Sequence, residues 1–329
     1  IDHAVTLAQA NEFFDSVDGP IIIKAIGGGG GRGTRVVHDK HDLEEAFERC
    51  ESEALAFFGL GDVYVEEFLP RAKHIEVQIL GDASGSIVHF GDRECSVQRR
   101  NQKVVEIAPA PNLSPSLRDK MTSAAVSFAH QEKYMSLGTF EFLVSDKGVE
   151  DDRSAGSTTG DHFVFIEANA RLQVEHTVTE EVSGFDLVRG QIAVAFGSSL
   201  TDLGLDAQAP PTLSGFAIQA RVNLETITAD GGVRPGSGRL VRYEPPNGPG
   251  VRTDGFGYVG YKTSIAYDSL LAKVIVHERS SNFSDVARKA IRALSEFHLE
   301  GARNNISFLK NILSHEDFIS GATHTRWIE

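Results

Sequence analysis

At 329 residues, with 24% charged and 41% apolar side chains, the chain has the composition of a water-soluble globular protein with room for two or three domains or subdomains. Its net charge of −14 opposes binding to a nucleic-acid backbone or an anionic membrane surface, and no apolar run is long enough to span a bilayer. Two cysteines, Cys50 and Cys95, exclude a disulfide framework and point to a reducing compartment.

The first residue is Ile rather than Met, and the chain reads at once into an amphipathic segment over residues 1–18, so a fragment of a longer parent is expected. Residues 20–26 (PIIIKAI) read as a short buried strand interrupted by Lys24. A lysine there must snorkel to solvent or meet an anion. Gly27–Val37 follows, with five consecutive glycines that let backbone N–H groups approach a ligand closely. It lacks the Gly-Lys-Ser/Thr ending of a phosphate loop, and the β-forming run after it disfavours a dinucleotide fingerprint. A strand, glycine loop and strand instead suit a flap over nucleotide phosphates.

Residues 42–58 have the apolar spacing of a helix, with Cys50 on its core stripe, and 63–69 (VYVEEFL) form a strand that runs out at Pro70 as a hinge. Residues 74–80 and 86–90 are expected to make a hairpin. The charged stretch 92–106, holding Arg93, Arg99, Arg100 and Lys103, has no regular period and reads as an irregular loop. Ser114 and Pro115 open another helix.

Glu141 sits among bulky apolar residues in the strand 138–144, where a carboxylate needs a partner, a metal or an exposed edge. After the polar excursion 145–161 comes FVFIEANARLQVEHTVTEE, in which residues 166–175 alternate without error. One strand is expected there, with Glu167, Asn169, Arg171, Gln173 and Glu175 on its polar face. If the strands bearing Glu141 and Glu167 are adjacent and antiparallel, both carboxylates face one site suited to Mg²⁺ or Mn²⁺. A helix over 186–196, a strand over 216–222 carrying Arg221, strands over 258–265 and 270–276, and helices over 285–297 and 305–313 complete the chain.

Six segments in order, IIIKAIGGGGGRGTRVV, HIEVQILGD, RECSVQRRNQKVVEIAPAP, GTFEFL, FIEANARLQVEHTVTEE and YDSLLAKVIV, resemble the biotin carboxylase component of biotin-dependent carboxylases. The resemblance implies an α+β ATP-grasp fold: a lid over 1–68, a body over 69–209 and a C-terminal subdomain over 210–329. It also implies MgATP-driven activation of bicarbonate as carboxyphosphate and carboxylation of biotin carried on a partner domain. Matched motif to motif, Lys24, Gly28, Gly29, Gly30, Gly31 and Gly33 hold phosphates. Glu66, Glu67, Leu69, His74, Gln98 and Leu143 meet the rest of the nucleotide. Glu141, Glu167 and Asn169 hold Mg²⁺ or Mn²⁺. Lys103, Arg171, Gln173 and the backbone of Val174 grip bicarbonate, Glu175 is its base, and Arg221 stabilises the biotin enolate.

Partners implied are a biotin carboxyl carrier domain and a carboxyltransferase within a homo-oligomeric parent, with no nucleic acid and no membrane. An acyl-CoA carboxylase is the expected parent and pyruvate carboxylase the rival, in the cytoplasm or, for a eukaryotic parent, the mitochondrion. Two other readings stay open: a carbamoyl phosphate synthase-like domain, or a nucleotide-binding fragment without activity. Asn101 stands where the family usually has histidine, and Glu67 replaces a common lysine. The family's N-terminal subdomain is not in this sequence, so the fragment alone is expected to be impaired.

Overall fold

In a computed structural model that describes residues 3–17, 19–27, 33–145, 163–228, 232–264 and 268–329, Thr6 opens the first helix, Leu7–Ser16. The Thr6 hydroxyl accepts from the Gln9 backbone N–H while the Gln9 side chain accepts from the Thr6 backbone, satisfying two donors at the helix start. Gly28, Gly29, Gly30, Gly31 and most of the polar excursion lie outside the described residues.

The chain divides into two units, Ile1–Arg71 with Arg100–Gln102, and Ala72–Arg99 with Lys103–Glu329. In the first, strands β1 (Ile21–Ala25), β2 (Thr34–Val37) and β3 (Val63–Glu67) form an antiparallel sheet in the order β2-β1-β3. Alternate residues Ile21, Ile23, Val63 and Val65 pack with Leu43, Phe47, Cys50 and Ala54 of the helix Leu43–Phe58 in one core. The strand, glycine loop and strand arrangement is therefore a β-hairpin, as expected. Gly33 has φ +66°, and a Cβ there would lie 2.9 Å from that of Ala25, so only glycine fits its turn.

The second unit holds β4 (Ala72–Gly81), β5 (Ile87–Arg99), all but the first residue of β6 (Gln102–Ala108), β7 (Ser136–Ser145), β8 (Phe163–Asn169) and β9 (Phe216–Asn223). Three short strands follow, β10 (Glu225–Ile227), β11 (Val233–Pro235) and β12 (Arg242–Glu244), then β13 (Val251–Gly255), β14 (Leu270–Glu278) and β15 (His298–Glu300). Eight of these form one sheet in the order β13-β14-β9-β6-β5-β4-β7-β8. One face of β4 and β7, with Ile75, Val77, Ile79, Phe140 and Phe142, packs on the helix Pro115–Gln131. Ser114 caps that helix by accepting from the Leu117 N–H, with Pro115 at its first position. Further along the sheet, β9 and β14 pack on the helices Phe283–Glu296 and Ile306–Ser314.

Three expectations are corrected. The charged stretch 92–106 is two paired strands, β5 and β6, turning at Arg100 and Asn101 with φ +48° and +63°. Its period was hidden because both faces are buried, with Asp92, Arg93 and Glu94 held by partners rather than by water. The strand expected over 166–175 ends at Asn169, and residues 170–175 turn into the helix His176–Ser183. Leu172 joins a different core cluster and Val174 is exposed, while Gln173 and Glu175 are drawn onto the sheet by cationic partners. Finally, residues 258–264 make no strand beyond one isolated bridge from Lys262 to Arg239.

Candidate active site

Strand register builds the site. Glu167 on β8 lies opposite Glu141 on β7, Glu141 opposite Glu76 on β4, and Glu76 opposite Arg93 on β5. Directly opposed residues share a face, so three carboxylates and a guanidinium form one row across four strands. Next along the sheet, Glu106 on β6 faces Gln219 on β9, and Arg221 faces Lys273 on β14. The segment 170–175 and the helix after it bring Gln173 and Glu175 against this face.

Lys103 sits at the centre. Its Nζ donates to Glu76 Oε2 and Glu175 Oε1, each at 2.6 Å, and lies 3.4 Å from Glu141 Oε1. Arg221 Nε donates to Glu106 Oε1 at 2.5 Å, and its Nη2 reaches Glu175 Oε2 at 3.1 Å. Glu175 thus holds both cations, one on each oxygen. Behind Arg221, Gln219 Nε2 donates to Glu106 Oε2 at 2.9 Å and its Oε1 accepts from the Thr177 hydroxyl at 2.5 Å. Lys273 Nζ donates to the carbonyl of Val174 at 2.9 Å and so ties down the turn bearing Gln173 and Glu175.

The expected metal ligands are together. Asn169 Nδ2 donates to Glu141 Oε1 at 2.8 Å and to Glu167 Oε1 at 3.0 Å, while its Oδ1 accepts from Arg171 at 3.0 Å. Two carboxylates within reach of one nitrogen make an all-oxygen donor pair that fits a hard divalent cation. Glu141 is buried rather than on an exposed edge, and takes further contacts from Gln173 Nε2 at 2.7 Å and His74 Nε2 at 2.7 Å.

Charge balance follows from these contacts. Burial pushes Glu141 up, but His74, Lys103 and the Gln173 amide outweigh it and bring the carboxyl down to about 2. Glu76 also comes down to about 2, burial being overcome by Arg93 and Lys103. Burial alone would lower Lys103, yet Cys95 and the carboxylates Glu76, Glu175 and Glu141 raise it. The Cys95 thiol is itself pushed well up by burial, so at neutral pH the carboxylates hold the ammonium charged. Glu106 is raised by burial in spite of Arg221.

Gln98 Nε2 approaches His74 Nδ1 at 2.7 Å and donates to the Cys95 carbonyl at 2.8 Å, which fixes the His74 ring against Glu141. Leu143, half-buried on β7, pairs in register with His74. In the other unit, Lys24 forms an ion pair with Glu66 across β1 and β3 and lies 5.9 Å from the Tyr64 ring centroid. A carboxylate is therefore its anion. Glu67 is exposed at the end of β3, and Leu69 lies two residues beyond.

Sequence reasoning passed over Glu76, Glu106, Gln219 and Lys273, and noted Arg93 only as part of a basic cluster. A signal existed for the first: His74, Glu76 and Gln78 alternate with Ile75, Val77 and Ile79, the pattern of a strand with one polar face. No comparable pattern marks Arg93, whose neighbours on β5 are buried on both faces.

Residues 2–203 match the family model for the carbamoyl-phosphate synthase L chain ATP binding domain, and residues 219–329 match that for the biotin carboxylase C-terminal domain. A crystal structure of biotin carboxylase from Campylobacter jejuni superposes with a TM-score of 0.89 at 35% identity, over 99% of this chain and 68% of that one. The chain belongs to the biotin carboxylase family. Its fold is the ATP-grasp fold of that family, whose members are ATP-dependent ligases. Another biotin carboxylase, the domain from Hydrogenobacter thermophilus 2-oxoglutarate carboxylase in complex with MgADP, ADP and bicarbonate, aligns at 35% identity and TM-score 0.87, over 100% of this chain and 68% of that one. Human mitochondrial pyruvate carboxylase is 47% identical over 325 residues, 98% of this chain but 26% of that protein. The chain thus spans about a quarter of the curated pyruvate carboxylases it matches.

Proposed function

We propose that this chain carries out the biotin carboxylase half-reaction, in which MgATP activates bicarbonate as carboxyphosphate and the carboxyl group passes to biotin on a carrier domain. The observation that carries the reading is the set Lys103, Glu175 and Arg221, in which one buried carboxylate is held by two half-buried cations beside a pair of metal-type carboxylates. Glu141 and Glu167 hold Mg²⁺ or Mn²⁺, with Asn169 turning its carbonyl to assist. A bound divalent cation neutralises phosphate charge and favours in-line transfer.

Lys103, Arg171, Gln173 and the backbone of Val174 receive bicarbonate, whose negative charge suits these donors. Glu175 removes its proton, its carboxylate being fixed in place by Lys103 and Arg221. Arg221 keeps its proton at any working pH and so stabilises a biotin enolate without acting as an acid. Lys24, Gly28 to Gly31 and Gly33, with Glu66, Glu67 and Leu69, are assigned to ATP by motif, as are His74, Gln98 and Leu143 in the larger unit. Anion binding at Lys24 has to compete with Glu66. The division into lid, body and C-terminal subdomain at 68/69 and 209/210 belongs to this proposal, and the gap between the two family matches supports the second boundary.

The carrier and carboxyltransferase are partners in the parent protein. The 47% identity to human pyruvate carboxylase supports a pyruvate carboxylase parent, the alternative to the acyl-CoA carboxylase expected from sequence. The C-terminal match favours biotin carboxylase over a carbamoyl phosphate synthase-like domain. The test is ADP release by the full-length parent in bicarbonate, with and without free biotin. Stimulation by biotin is expected. Bicarbonate-dependent ATP cleavage that biotin leaves unchanged would favour the carbamoyl phosphate type.

A further inference from the structure

Arg93 holds none of the roles assigned above, yet it is fully buried in the middle of them. A guanidinium has five N–H donors. Here Nε donates to Glu76 Oε1 at 2.5 Å, Nη1 to Gln78 Oε1 at 2.7 Å and Thr179 Oγ1 at 3.0 Å, and Nη2 to Gln173 Oε1 at 2.9 Å and Thr139 Oγ1 at 3.3 Å. No N–H is left for a ligand. Its partners lie on β4, on β7, on the helix His176–Ser183 and on the turn before that helix.

Two of these bonds decide which way other groups face. Because Gln173 Oε1 accepts from Arg93, the amide is held with Nε2 turned outward, where it donates to Glu141 Oε1 at 2.7 Å. Rotated by half a turn, the same amide would aim its oxygen at the Glu141 carboxylate and at any anion bound beside it. Glu76 works as a relay, with one oxygen fixed by Arg93 and the other accepting from Lys103. Thr179 adds a bond that holds the helix following Glu175 against the sheet.

We propose that Arg93 is a positioning residue for bicarbonate, fixing the Gln173 amide directly and the Lys103 ammonium through Glu76 so that both present N–H donors to the anion. This rests on the bicarbonate assignment above. A lysine at this position can pair with Glu76 as a single point charge but lacks the planar fork that serves Gln173 and Thr179 together.

The test is steady-state ADP release by the full-length parent protein, with bicarbonate and ATP varied separately. Arg93→Lys is expected to raise KM for bicarbonate about tenfold, the effect of losing one or two oriented hydrogen bonds, while KM for ATP stays within about twofold. On a Gln173→Ala background the same change is expected to add only about threefold, since the amide branch is already gone. Thr179→Val, which removes one acceptor and touches neither Gln173 nor Lys103, is expected to give a smaller rise of about threefold. A parallel rise in both KM values, or an undiminished Arg93→Lys effect without Gln173, would overturn the proposal. Should Arg93→Lys fail to give a cooperative melt, an unchanged bicarbonate KM in Thr179→Val would overturn it as well. A wild-type parent whose ATP cleavage ignores bicarbonate would instead remove the assignment beneath it, and the proposal with it.

Discussion

Glu141 meets two opposed demands. It must stay ionised while buried, and in the proposed role it must offer oxygens to a cation; His74, Gln173, Asn169 and Lys103 meet the first, and the second requires Asn169 to turn its Nδ2 away from Glu141 and Glu167. Glu167 itself is exposed, so Glu167→Gln should leave the melting temperature within about 2 °C, an effect of a surface change below ~0.5 kcal/mol. The same change should raise the Mg²⁺ concentration needed for half-maximal ATP turnover; an unchanged demand would contradict the metal assignment. Arg221→Ala should slow biotin carboxylation more than ATP consumption, and equal losses would argue against its enolate role. It should also cost about 3 kcal/mol in denaturant unfolding, because Glu106 would be left as a buried carboxylate with an amide as its remaining partner. The side chains proposed to hold metal and bicarbonate could be singled out in the sequence because they stand in distinctive motifs. Arg93 and Glu106 were not, because a buried ion pair leaves no mark on hydropathy: each reads as one more charge in a charged run.

Element boundaries followed local physics where one face is wet and failed where none is. Ser114 with Pro115 marked a helix start that the structure shows, and Ser114→Ala is expected to cost about 1 kcal/mol, measured by urea unfolding. The alternation from Ile166 to Glu175 ran across a true boundary. Half of it is an edge strand and half a turn, and the turn keeps the alternation only because Gln173 and Glu175 have partners on the sheet. The β5–β6 turn carries Arg100 and Asn101 in the left-handed region, which glycine adopts without steric cost. Arg100→Gly is therefore expected to be neutral or slightly stabilising, by up to about 1 kcal/mol, whereas Asn101→Val should destabilise by a similar amount.

On the scale of the whole chain, one sheet of eight strands brings residues from β4 to β14 onto a common polar face, an ordering that no local pattern discloses. The antiparallel contact of β7 with β8 was readable from a single connection; the placement of β9 beside β6, which sets Arg221 against Glu106, was not. The buried carboxylates give this sheet an acid-sensitive side. Glu76 and Glu141 both titrate near about 2 when folded against an ordinary 4.5, so the stability they contribute is complete above 4.5 and lost as pH falls toward 2. Glu106, raised by burial, acts above 4.5 and stays out of that window. Unfolding free energy should therefore fall between pH 5 and pH 2.5 by on the order of 3 kcal/mol, followed by urea titration at each pH.

The most direct test of the account is ADP release by the full-length parent in MgATP with bicarbonate present or removed, for the wild-type protein and for Glu175→Gln. The account predicts that wild-type turnover depends on bicarbonate and that the variant loses on the order of 10²–10³-fold of the bicarbonate-dependent rate, the usual worth of a positioned base. ADP released as fast without bicarbonate, or by the variant at the wild-type rate, would contradict it.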